Sequence, residues 1–394
     1  MRWVPILAVK SFAIWLLTLI GLVACYAQPI EDGVVEPVGK APENLIGQRF
    51  ERPYLIDVDR PIDGLLVWYL NNRLEKAEAY GADLIIIRLT TPGGELDHSL
   101  NLGRRFREIQ WAKVVVWIPK EAISGGAILS LGADAIYMGR SALFGDAGVI
   151  TFGPRGEFVH AEEKIVSYAA EAIRELAESG GRPSAVAEAM VDRKLKVFEV
   201  THRESGEVSY LRESQTIDPK IAEKYEIGEP ISEAGNDRFL TVVAPRAKQL
   251  LLCDEVFDSE SQMLGQLTSA PLRSTQLDWK DTTVYILNRP WLTALLLVIG
   301  IVGLYWELTS PGMGLPGLLA LLCFGIFFWS HFLGGTAGWF EVLMFSLGVT
   351  CLLMELFVLP GFGIFGISGL AMIAIGLVMA MQDFLIPDSP LRWQ

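Results

Sequence analysis

The sequence predicts an α/β domain built on a parallel sheet, followed by an all-α membrane domain of four transmembrane helices. Three observations carry this. β-Branched and apolar runs alternate with helix-spaced segments between residues 53 and 140. Four apolar stretches fill residues 291–381 without a single Lys or Arg. A basic-then-apolar leader of the export type occupies residues 1–27.

Taken in order, the leader has Arg2 and Lys10 as its positive region and the uncharged stretch Phe12–Ala24. Leu22-Val23-Ala24-Cys25 resembles a bacterial lipobox, whose cysteine is acylated. Cleavage after Ala27 and retention as an anchor are the other outcomes, and all three export the downstream chain. Residues 28–50, rich in Pro, Gly and Glu, read as a linker.

The α/β domain is expected over residues 51–258. Pro53–Asp57 reads as a short strand. Ile62–Tyr80 has helical spacing, with Gly81 as its stop. Strand Asp83–Leu89, helix Leu96–Ile109 and strand Lys113–Ile118 then alternate as βαβ units. Ser124–Leu131 starts a helix and Ala135–Met138 a strand, and Glu162–Ser179 is an amphipathic helix ending at Gly180-Gly181. Pro183 opens a further helix. Residues 196–239 read as an inserted polar hairpin region, and 259–289 as a polar connector.

The membrane domain is expected over 290–383, with a tail at 384–394. Its spans are Trp291–Glu307, Leu315–Phe332, Trp339–Leu356 and Ile364–Met381. They form an internal repeat, because Glu307-Leu308 before Pro311-Gly312 recurs as Glu355-Leu356 before Pro360-Gly361. The repeat reads as two hairpins sharing one turn chemistry. Glutamates at span ends can reach water, which weighs against transport. Orientation rests on the export leader, because the loops between spans hold no Lys or Arg.

Composition excludes some functions. The net charge of −13 falls mostly on the soluble part, against nucleic acid as a partner. Four cysteines, two of them in spans, form no disulfide framework. No His, Cys and Asp cluster has ligand spacing, so neither metal nor other cofactor is expected.

The candidate chemistry centres on Ser124. It sits between the turn Thr91-Pro92-Gly93-Gly94 and a downstream helix carrying Lys164. A serine nucleophile needs a base and donors for the developing oxyanion. Ser124 opens a helix, whose free N–H groups face any anion formed there. Gly125 permits close backbone approach, and Gly93 or Gly94 can present a second N–H. Taken alone, a serine here would be an ordinary helix N-cap. As base, Lys164 stands in a first turn flanked by Ile165 and Val166, where burial and the positive helix end would favour the neutral amine. Glu162 and Glu163 oppose this. Among the four histidines, only His160 lies in the right neighbourhood, while His98, His202 and His331 do not.

Thr91-Pro92-Gly93-Gly94, Ile123-Ser124-Gly125-Gly126-Ala127 and Glu163-Lys164-Ile165 leading into Glu178-Ser179-Gly180-Gly181-Arg182 together resemble NfeD-type membrane serine proteases. These belong to the Clp-protease and crotonase superfamily and are similar to signal peptide peptidase A. The resemblance runs from about Pro53 to Met381, the insert excepted. It implies a Clp/crotonase-like fold of repeated ββα units and a Ser-Lys dyad of Ser124 and Lys164. It implies oxyanion donors at Gly94 and Gly125, with Gly93 and Gly126 at the bound peptide. It also implies a stomatin-like (SPFH) membrane partner, a peptide substrate with an apolar segment, and a homo-oligomer. The site would face the extracytoplasmic side of the cell membrane. Three features depart from the family pattern: the charged Lys120-Glu121 before the serine, the insert, and a soluble C-terminal β-barrel that is absent or beyond this sequence.

Two other readings compete. The chain could be a catalytically idle scaffold that organises a stomatin-type partner. An acyl-CoA enzyme on the related crotonase fold is the third, and export to a CoA-free compartment counts against it.

Overall fold

A computed structural model describes residues 44–152, 157–274, 279–310, 314–334, 337–358 and 363–381. The leader, Cys25, most of the linker, the Pro-Gly turns at 311–313 and 359–362, and the tail lie outside the described residues.

Strand β1 (Pro53–Asp59), helix α1 (Gly64–Tyr80), β2 (Leu84–Thr90), α2 (Leu96–Glu108) and β3 (Lys113–Ile118) keep the expected alternation. The Asp63 carboxylate caps α1 by accepting from the Leu66 N–H, and Gly81 at φ 72° ends it in the left-handed region. Next come β4 (Glu121–Ile123), the short α3 (Gly125–Ser130), β5 (Ala135–Gly139), β6 (Leu143–Gly145), β7 (Ile150–Phe152) and β8 (Phe158–His160). Helices α4 (Glu163–Ser179) and α5 (Ser184–Glu188) close this first part.

The main sheet has six strands, all pairs parallel, in the order β13-β5-β3-β2-β1-β14. Its edges β13 (Glu255–Phe257) and β14 (Arg273–Ser274) come late in the chain. Both faces are covered, so β2 and β3 read as continuous apolar runs rather than as alternations. Ile85, Ile87, Val114 and Val116 join one core with α1, α2 and α4. Leu84, Ile86, Val115 and Trp117 join the other, with Leu45, Phe257 and Met263. A second small sheet, β12-β6-β4, stands beside the first and completes it with β12 (Thr241–Val243).

The Gly180-Gly181-Arg182 run is structural. Gly181 turns at φ 72°. The buried Arg182 then donates to Asp254 Oδ2 at 2.8 Å and to the Ala133 carbonyl at 3.2 Å. Asp254 also accepts from the Ile136 N–H, so the arginine pins α4 to the start of β5.

Two regions differ from the sequence reading. The insert is more than a hairpin: β9 (Val197–His202) pairs with β10 (Val208–Arg212) on one side and β11 (Tyr225–Pro230) on the other. Helices α6 (Glu213–Thr216) and α7 (Pro219–Lys224) lie between β10 and β11. A third strand forms because a lone hairpin buries too little apolar surface to persist. After α8 (Ala244–Gln249), the expected polar connector holds α9 (Glu260–Leu267), capped by Ser259, then β14 and α10 (Trp279–Leu287). Met263 and Leu267 of α9 are fully buried, which makes α9 part of the domain.

The apolar helices are α11 (Pro290–Thr309), α12 (Leu315–Leu333), α13 (Trp339–Phe357) and α14 (Ile364–Ala380). Three are long and apolar enough to cross a membrane, and α14, at 17 residues, is shorter than a standard span. The repeat has a physical cause. Glu307 accepts from the Gly314 N–H at 3.3 Å and the Gly317 N–H at 3.1 Å. Glu355 accepts from Gly363 at 2.8 Å and Gly366 at 3.3 Å. Each carboxylate thus satisfies orphan N–H groups at the start of the next helix, where the helix dipole also favours it. Close glycine contacts hold each pair: a Cβ at Gly348 would lie 2.7 Å from the Gly369 carbonyl oxygen, and one at Gly303 2.8 Å from that of Pro316.

One buried carboxylate fastens the insert. Glu188 Oε2 lies 3.2 Å from Arg212 Nε of β10 and 3.8 Å from Arg174 Nε of α4. Burial nonetheless outweighs the two arginines and raises its pKa above the ordinary glutamate range. A raised acid pKa means the folded state holds this proton more tightly than the unfolded one, so stability falls as pH rises through that window. Glu188→Gln should flatten this part of the stability–pH curve from chemical denaturation of the full chain. Glu355→Ala and Glu307→Ala should each lower the thermal midpoint in detergent, and by similar amounts, because each strips two N–H groups of a charged acceptor.

Candidate active site

Thr91 organises the site from below. It comes directly after β2 and is fully buried. Its N–H donates to the Glu121 carbonyl and its carbonyl accepts from the Ile123 N–H, both at 3.1 Å, which clasps β4. Its Oγ1 accepts from the Gly93 N–H at 3.1 Å, which curls the Gly-Gly turn back over β4. Ile62 holds the other side: its N–H donates to the Gly93 carbonyl and its carbonyl accepts from Glu95, each at 2.9 Å.

Ser124 stands where β4 passes into α3, with φ 54° and ψ −122°. A non-glycine residue there is strained by a cost of order 1–3 kcal/mol, and such residues gather at functional sites. Its N–H donates to the Gly145 carbonyl of β6 at 2.9 Å. Although Ser124 occupies the N-cap position, its side chain makes no capping hydrogen bond. The ordinary reason for a serine before a helix is therefore absent, and its half-buried hydroxyl is left for other work.

Each of the four glycines is required by a different neighbour. A Cβ at Gly93, itself at φ 110°, would lie 2.5 Å from Ser124 Cβ and 3.0 Å from its Oγ. One at Gly94 would lie 2.0 Å from the Ile62 oxygen, one at Gly125 2.1 Å from Ser99 Oγ, and one at Gly126 2.4 Å from Thr91 Cγ2. Among the described residues, no acceptor takes the N–H of Gly94 or of Gly125. Two free donors thus belong to residues packed around one uncapped hydroxyl.

Lys164 is placed differently from the sequence expectation. It lies in the first turn of α4 but is exposed, with no hydrogen bond to Ser124 among the described residues. The amphipathic helix turns this face to solvent, Ile165 included. None of the histidines reaches Ser124. His98 is buried 3.5 Å from Glu95, His160 meets Phe239 edge to face, His202 meets Tyr225 edge to face, and His331 is buried in α12.

Beyond Lys164, α4 borders a cleft of about 390 Å³ lined by Val149, His160, Val166, Ser167, Glu188 and Phe239. Among the described residues no group of three or more His, Cys, Asp or Glu could hold a metal. Sequence reasoning missed Thr91 and Ser99 as shapers of the site, since an isolated Thr or Ser carries no pattern.

The chain is similar to known membrane proteins in both its halves. A family model for the N-terminal domain of NfeD1b matches residues 52–228, and one for the NfeD integral membrane domain matches 291–393. The chain is 29% identical over 335 residues to the membrane protein NfeD1b of Bacillus subtilis, covering 84% of this chain and 68% of that one. It is 24% identical over 352 residues to the membrane-bound protease PH1510 of Pyrococcus horikoshii, covering 82% and 69%. Among solved structures, the 1510-N membrane protease specific for a stomatin homolog, from Pyrococcus horikoshii, is 17% identical. That match covers 61% of this chain and 99% of that one, with a TM-score of 0.40.

The strain at position 124 can be measured. Ser124→Gly should be more stable than Ser124→Ala by about 1 kcal/mol, since both lose the hydroxyl but only glycine relaxes at positive φ. Paired denaturation curves of the two variants check this.

Proposed function

The chain belongs to the NfeD family of membrane proteins, whose models match both its α/β domain and its apolar helices, and on that premise we propose that it is a membrane-anchored serine endopeptidase. The observation that carries the reading is the uncapped Ser124 hydroxyl, held at φ 54° against Gly93, with a free N–H on the residue that follows each of the two, Gly125 and Gly94.

In the proposed reaction Ser124 Oγ attacks the scissile carbonyl carbon and its proton passes to the Lys164 amine. The carbonyl oxygen becomes the oxyanion, met by the Gly94 and Gly125 N–H groups. Lys164 then gives the proton to the leaving amine, releasing the first product and leaving an acyl ester on Ser124. Water, deprotonated by the same amine, hydrolyses the ester and frees the enzyme. Gly93 and Gly126 keep the peptide's path open. For Lys164 to act, its long side chain must swing to Ser124 and lose water, which a bound substrate or a second copy of the chain would bring about by covering α4.

The substrate proposed is a membrane-associated or exported protein with an apolar segment. A stomatin-like protein is a reasonable partner, because the relative from Pyrococcus horikoshii is described as specific for a stomatin homolog. The leader favours an extracytoplasmic site. A scaffold without catalysis is the second reading, and the exposure of Lys164 is the observation that favours it.

A fluorophosphonate probe separates the two. The full chain in detergent should be labelled at Ser124, and Ser124→Ala should lose both labelling and peptide cleavage. Lys164→Ala should lower cleavage by at least about 100-fold, the usual scale for a general base, and activity should rise with pH because an ammonium accepts no proton. Cleavage that survives in Ser124→Ala overturns the peptidase reading.

A further inference from the structure

The α/β domain and the membrane helices meet through a stack of alternating arginine and tyrosine side chains. Arg289, the N-cap residue of α11, lies 5.1 Å from the centre of the Tyr285 ring. Arg60 lies 4.4 Å from the same ring and 5.7 Å from that of Tyr69 on α1. Arg73, fully buried on α1, lies 5.0 Å from Tyr69 and ends the stack. All four distances are within cation–π range.

Neither Arg60 nor Arg289 is in an ion pair among the described residues, so the rings are the groups that hold both guanidiniums. Tyr285 belongs mechanically to the membrane side. The next turn ends at Asn288, whose Nδ2 donates to the Ser330 carbonyl of α12 at 3.0 Å. Arg60 belongs to the site. Two residues later Ile62 makes both backbone bonds that fix Gly93 and Glu95, and its Cδ1 lies 3.2 Å from where a Gly125 Cβ would be. A shift of Arg60 is therefore felt by the backbone on both sides of Ser124.

We propose that Arg60 is a positioning residue, which ties the Gly93-Gly94 turn to the membrane helices through Tyr285, so that the position of those helices sets how well the oxyanion donors are aligned. The proposal rests on the peptidase reading for its effect on turnover, and on backbone geometry alone for its effect on the turn.

The test uses the full chain in nanodiscs, with Tyr285→Leu, Tyr285→Phe and Arg60→Gln. Two quantities are read: turnover of a soluble chromogenic peptide, and amide hydrogen exchange of Gly93 and Glu95, the bonded N–H groups of the turn. Tyr285→Leu and Arg60→Gln should each lower kcat about three- to tenfold, the range that an exposed to half-buried cation–π contact corresponds to, with KM within about twofold. Exchange at Gly93 and Glu95 should quicken in both. Tyr285→Phe keeps the ring face and should match the wild type in both measurements. The double variant should lose less than the two single losses combined, because both singles remove the Arg60–Tyr285 contact. Unchanged exchange at Gly93 and Glu95 in Tyr285→Leu, with that variant folded, overturns the proposal. A wild-type chain that hydrolyses nothing and takes no label at Ser124 overturns the peptidase reading instead, and the exchange rates still decide the coupling.

Discussion

The close approach of Gly93 to Ser124 is the constraint around which the α/β domain is arranged. A side chain at 93 would overlap the serine Cβ, and the serine itself is held at a backbone angle that L residues avoid. Neither condition could persist on a mobile loop. The strained residue is fixed by a bond to Gly145 on β6, and the strand before it is clasped by Thr91. Those anchors in turn depend on the parallel sheet, because Thr91 sits where β2 ends. The sheet thus supplies rigidity, and the glycine pairs allow an approach that no other residue type permits.

The membrane half solves a different problem by an equally local device. A helical hairpin in hydrocarbon must satisfy the N–H groups at the start of its second helix. Here a glutamate at the end of the first helix does so, twice, with the same donor spacing in each copy. An acidic residue in a span would otherwise mark a transport path. Both carboxylates are already engaged by backbone N–H groups, so the glutamates are accounted for by the turn. The structure therefore supports the hairpin reading of the repeat.

How legible each element was in the sequence depends on how far its own residues determine it. Leu84–Thr90 and Lys113–Ile118 were readable because a strand buried on both faces must be apolar throughout. The amphipathic α4 and the Glu-to-Pro-Gly repeat were readable for the same local reason. Strands β4, β6 and β12 have three residues each, too few for any period, and exist only through their pairing. The third strand of the insert, opening Tyr225-Glu226-Ile227, is mostly exposed and has no core to announce it. At the site, the order of the glycine turn, Ser124 and the helix was visible. The positive φ, the uncapped hydroxyl and the work of Thr91 and Ser99 were not, since all arise from contacts across the fold. Of the apolar flanks of Lys164, Val166 packs on the core but Ile165 misled, being 37% exposed.

That exposure bears on how a site of this kind can be kept quiet. Under the proposed reading, the serine that attacks and both N–H donors are fixed by the backbone of the turn and of β4, which could not be realigned afresh in each turnover without reordering the turn. A lysine side chain is the opposite, a flexible stem that can travel several ångströms by rotating about its own bonds. Under the proposed reading, the free chain therefore holds the rigid half of the machinery ready and leaves the mobile half out in solvent. Ile165 and Tyr168 stand on the same helix as Lys164 and offer apolar surface that a covering chain would bury. Burying them would strip water from the lysine on the same helix, so under the proposed reading the event that delivers a peptide to Ser124 would also bring in its base.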